Sequence, residues 1–216
     1  MRIADLFRKA PPFASLAALE DFLDSRTAFM VQKCVFEYAR ARSGLLSSKL
    51  FKEAAFMSAL DAARWRNYPL CLECVAVMAE HALRPHAGEG GPALRSGIAA
   101  AAANVTNRYP IPPGFPAEFW AEARERIAHR IDMAGLAAPH PVKDLPNAVA
   151  KEFFANLPIH ESLRGHDFVL VTNNLRVNLC RAYEDLLGQA DLPHLAEAVM
   201  AAPPAVAVPG QRPRSG

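Results

Sequence analysis

The chain has 216 residues, of which 51% are hydrophobic and 21% charged, enough for one sizeable core and too apolar for global disorder. Its 24 basic and 22 acidic residues are interspersed, for a net charge of +2, so no basic run marks a nucleic-acid binder. Four cysteines without a framework spacing read as reduced thiols, residues 1–9 lack the apolar stretch of a secretory signal, and no apolar run approaches ~18 residues. The expectation is a soluble cytoplasmic protein with no transmembrane segment.

Residues 1–14 form an N-terminal segment in which Ile3, Leu6 and Phe7 share the face of one amphipathic turn, read as a short docking or frayed terminus. Pro11 and Pro12 then precede Ser15, an N-cap for a long helix that stops near Gly44. On a helical wheel residues 19–41 are apolar almost all round. Phe22, Phe29 and Phe36 align; Leu23, Met30, Cys34, Tyr38 and Ala41 make a second strip; Ala28, Val35 and Ala39 make a third. Charge keeps to a seam of Arg26, Lys33, Glu37 and Arg40, which predicts a rod buried on several sides.

Residues 48–66 continue in helical period, and Pro69 should break or kink whatever crosses it. A helix resumes at 70–84, and 86–91 form a glycine-rich loop. Residues 93–108 carry five successive alanines, Ala99–Ala103, a smooth surface that lets a neighbour come close. Pro110, Pro112, Pro113 and Pro116 make an extended connector into a helix that ends at Gly135. Another helix is expected at 143–156. A second long rod covers 166–187, with Phe168, Val171, Leu175, Leu179, Ala182 and Leu186 on one face. A short helix follows at 191–200, and the Pro/Ala-rich tail 201–216 reads as disordered. No segment alternates with period 2. The expected fold is an all-α, single-domain helical bundle over 15–200, with about seven or eight helices by their periodicity and two long central helices.

Motifs for chemistry are sparse. Cys71 and Cys74 form a CxxC, but a zinc site needs a second ligand pair, and both fall on the apolar strip of Val75, Met78 and Ala82. His160-Glu161-Ser162-Leu163-Arg164 begins like HExxH and lacks the second histidine; Gly165 and Asp167 make it read as a helix junction, with Asp167 as the cap. Glu118, Glu122, Glu125 and His129 line one helix face without the Glu-x-x-His of a di-iron bundle, among Arg124, Arg126 and Arg130, as a solvated face does. Neither a serine elbow nor a phosphate loop occurs. No metal or cofactor is expected.

On the second rod, Asn174, Asn178, Arg181 and Asp185 make a polar stripe expected to face solvent. Asn173 and Arg176 share a different flank with Val169, Val177, Cys180 and Leu187, and Gln32 lies between Val35 and Ala39 on the first rod. If these flanks are buried, Gln32, Asn173 and Arg176 form either a hydrogen-bond network between the rods or the polar anchor of an apolar pocket.

The stretch Phe22-Leu23-Asp24-Ser25-Arg26-Thr27-Ala28-Phe29, with Gln32 and Tyr38, resembles the opening of a poorly characterised all-helical alphaproteobacterial family whose members are sometimes labelled esterases. The resemblance implies ester hydrolysis and carries no site residue across. Three functions follow as expectations. The favoured one is a non-enzymatic accessory or scaffold protein that binds another protein. The alternatives are a small-molecule or lipid binder anchored by Gln32, Asn173 or Arg176, and a hydrolase implied by the family label.

Overall fold

The computed structural model describes residues 11–203, and the expectations for the first turn and for the tail beyond 203 lie outside them. The described residues form no strand. α1 (Leu16–Val31), a π-helical turn (Gln32–Glu37) and α2 (Tyr38–Ser43) make one continuous rod. Ser15 starts it by accepting the amide of Ala18 at 3.3 Å, and Gly44 stops it at φ 51°, a conformation open to glycine. After the short α3 (Ser47–Leu50) come α4 (Ala54–Leu83), α5 (Gly91–Asn107) and α6 (Phe119–Gly135). A 3₁₀ turn (Val142–Ala148), α7 (Ala150–Ala155), α8 (Glu161–Arg164), α9 (Phe168–Gln189) and α10 (Leu192–Met200) complete the chain. One apolar core runs through all of it, from Leu19 to Val199, and the protein is an all-α bundle. No described helix is long and apolar enough to cross a membrane.

Pro69 does not break its helix. α4 carries it inside 30 residues of continuous helix, with every residue from Asn67 to Leu83 buried. An interior proline costs roughly 3 kcal/mol, and the packing of α4 against α1, α5, α6 and α9 outweighs that. The helix enclosed on all sides is therefore this half of α4. The first rod buries Leu19, Leu23, Met30 and Val35 but leaves Ala28, Phe29 and Gln32 at the surface. The expected helix at 143–156 is also modified: Pro146 offers no amide, and the segment runs as 3₁₀ until α7 begins.

The smooth face of α5 does admit a neighbour. A Cβ on Gly97 would meet the carbonyl oxygen of Val199 at 2.1 Å, so α10 crosses at this glycine. Phe13 clips the segment before α1 to the α9–α10 junction, donating its amide to Gln189 and accepting from Asp191, both at 2.9 Å. The carboxylates buried on α4 are both paired. Glu80 takes Arg84 through two hydrogen bonds, 2.8 and 2.7 Å, and Arg84 then donates to the carbonyls of Ala134 and Ala137 at the end of α6. Glu73 faces Arg126 at 2.8 Å and Arg130 at 3.5 Å, and Arg126 continues to Glu152 on α7 at 2.7 Å.

Candidate functional site

Gln32, Asn173 and Arg176 do not converge. Gln32 is exposed on the π turn and lines a cleft shared with α4, while Asn173 and Arg176 line a groove between α9 and the 142–150 segment. The polar group between the two rods is Asn178 instead. It is 8% exposed, donates to the carbonyl of Asn174 at 2.7 Å and lies 3.8 Å from the Cys34 sulfur. That corrects its expected place on a solvent stripe. α9 is rotated so that Val171, Leu175, Asn178 and Ala182 meet the core, and the flank carrying Asn173 opens outward.

This outward flank is unusually apolar. Val169, Val177 and Leu187 are 65%, 50% and 45% exposed, and Leu170 is exposed beside Val177. Beside it runs a groove of two adjoining depressions, about 310 and 590 Å³, both lined by Asn173 and Arg176. Arg176 is held rigidly within it. Its Nη1 donates to Asn173 Oδ1 at 3.1 Å and its Nη2 to Asn147 Oδ1 at 2.9 Å, while Nε is shielded and has no partner. Both partners are neutral, and no carboxylate among the described residues forms an ion pair with Arg176. Lys143, Lys151 and Arg181 add positive charge to the same groove, against Glu184 and the nearby Asp144. A fixed guanidinium without a counter-charge is an anchor for an incoming carboxylate.

The remaining motifs resolve into structural roles. Burial pushes the Cys34 thiol up to about 12 and raises Cys71 and Cys74 as well, so all three are inert at neutral pH. Cys180, in the α9 groove, is the partly exposed one. Of the four thiols, the native chain should titrate Cys180 alone with a disulfide-exchange reagent and all four in denaturant; a second fast native thiol would contradict this burial. His160 Nδ1 meets Ser162 Oγ at 2.8 Å and also accepts the Ser162 amide at 3.3 Å. This exposed pair caps α8. Asp167, expected as that junction's cap, instead accepts Tyr38 at 2.9 Å and pairs with Arg42, fastening the end of the first rod to α9. Glu118, Glu122, Glu125 and His129 all lie on the exposed face of α6, as expected.

The aromatic residues Trp65, Tyr68, Tyr109 and Trp120 escaped the sequence reading and form one cluster. Neighbouring rings stand 5.3–6.3 Å apart, and the Tyr68 and Tyr109 hydroxyls both donate to Asp24. Both tryptophans of the chain and two of its four tyrosines are gathered there. Trp65 and Tyr68 at i, i+3 gave a local signal; the other two rings come from outside α4. Searches of protein-family models, of curated proteins and of solved structures return no match to this chain.

Proposed function

We propose that this chain is an accessory protein that docks another protein on the outward flank of α9. The observation carrying this reading is Arg176, a guanidinium fixed by two asparagines and lacking a described counter-charge, beside the exposed strip Val169, Val177 and Leu187. Apolar side chains left exposed along a groove suit an interaction surface. The charge of the groove selects the partner: an acidic amphipathic helix, with apolar residues on the α9 strip and carboxylates over Arg176, Lys151 and Lys143.

The test replaces Val177 with a photo-cross-linking amino acid in the full chain and irradiates cells of the source organism. The sequence of the cross-linked peptide is then determined. An acidic amphipathic segment of a different protein is expected, with its yield cut about tenfold or more by Arg176→Glu, a loss equivalent to ~1.4 kcal/mol. Cross-links to a second copy of this chain, to a basic segment, or to no protein would overturn the reading.

A further inference from the structure

A second site, independent of the α9 groove, lies where the first rod meets α4. The rod leaves α-helical geometry there, over Gln32–Glu37, with neither proline nor glycine in the turn to cause it. Single π turns inside α-helices are rare and concentrate at functional sites. Two residues of this one, Gln32 and Phe36, form one wall of a cleft of about 190 Å³. The opposite wall is Trp65, Tyr68 and Tyr109, with Arg64 beside it.

We infer that this cleft binds a small planar aromatic carboxylate. The size fits one or two fused rings, since apolar cavities of about 150 Å³ hold benzene. The walls are ring faces and edges. Both tyrosine hydroxyls are turned away to Asp24, at 2.6 Å from Tyr109, so the tyrosines offer the cleft only their rings. Polar recognition falls to Gln32 and Arg64. Arg64 gives one nitrogen, Nη2, to Asp61 at 2.7 Å, while its Nε is shielded and has no hydrogen-bond partner.

Aromatic walls alone would equally suit a cation. Here the protein already supplies one: the Arg64 guanidinium lies 4.4 Å from the centre of the Trp65 ring. A second cation in the cleft would meet that charge, whereas a carboxylate would share the guanidinium with the half-exposed Asp61. The carboxylates behind the tyrosines, Glu20, Asp21 and Asp24, outnumber the one arginine that meets them, but none of the three lines the cleft. Arg108 takes Glu20, Asp21 and Asp24, and Asn104 also donates to Glu20.

Calorimetric titration of the full chain with three ligands of the same ring system tests this: 2-naphthoate, its neutral amide, and 2-naphthylmethylammonium. The carboxylate should bind at least about tenfold tighter than the amide, the margin of a charge-assisted hydrogen bond. Arg64→Gln should bring the carboxylate to within about twofold of the amide, because the charge that separates them is gone. Circular dichroism of the variant checks that the helices remain. Tightest binding of the ammonium compound would make the cleft a cation cage and overturn the inference. Equal affinity for carboxylate and amide in the native chain, or no heat from any of the three, would overturn it as well.

Discussion

Replacing Trp120 with alanine should lower the free energy of unfolding by about 3–5 kcal/mol, the range for deleting a buried aromatic side chain. Trp120 is 4% exposed at the start of α6. Its ring stands edge-on to Trp65 at 5.9 Å and to Tyr68 at 6.2 Å, and packs on Phe119 at 4.7 Å. Its Nε1 also donates to the carbonyl of Pro110 at 3.1 Å, fastening the proline connector to the helix it leads into. The two neighbouring tyrosines cannot relax into the space, because Asp24 holds their far ends. Trp120→Phe keeps most of the packing and loses the hydrogen bond, so it should cost only about 1–2 kcal/mol. Urea unfolding midpoints of the two variants measure the difference. Equal losses would mean that the bond to Pro110, rather than the ring, holds the connector.

Arg126→Ala should destabilise the chain by about 2–3 kcal/mol, while Glu73→Gln should be close to neutral at pH 7. The asymmetry comes from burial. Glu73 is 4% exposed on α4, whereas Arg126 reaches it from a half-exposed position on α6. Removing the arginine strands a buried carboxylate with only Arg130, at 3.5 Å, to answer it. Removing the charge from Glu73 relieves its desolvation and still leaves an oxygen to accept from Arg126.

The pH dependence has a defined sign. Burial raises the Glu73 carboxyl above its ordinary value of 4.5, with Arg126 and Arg130 pulling it part of the way back. The folded chain thus holds this proton more tightly than the unfolded chain does. The stability it contributes is complete below pH 4.5 and is lost as pH rises through the folded value. The native-minus-Glu73→Gln difference in denaturation midpoint should show that fall across this range. A native-minus-variant difference that grows as pH rises would show that the two arginines outweigh burial.

Local chemistry in the sequence determined the helices, their stops and much of their exposed charge. Ser15 caps, Gly44 and the 110–116 prolines interrupt, and the Glu118–His129 face stays solvated, because each depends on neighbours within a turn or two. The positions of Cys71 and Cys74 in the core followed in the same way, from an apolar strip on one helix. A wheel gives the angle of each side chain but not which angle meets another helix. Asn178 and Asn173 are five residues apart on α9, and only the docking of the first rod buries one and leaves the other outside. Pro69 leaves its helix unbroken for a related reason: its penalty is local, and the packing that outweighs it comes from four other helices.

Both candidate sites belong to that second category. The groove at Arg176 needs Asn147 from a turn 29 residues away, and the aromatic cleft needs Gln32, Trp65 and Tyr109 from three separate segments. The sequence by itself determined an all-α chain and the positions of most of its helices. Tertiary structure alone decided which helix is enclosed, which flank of α9 is bare, and which distant side chains share a cleft, because those depend on packing free energies between elements rather than on preferences within them.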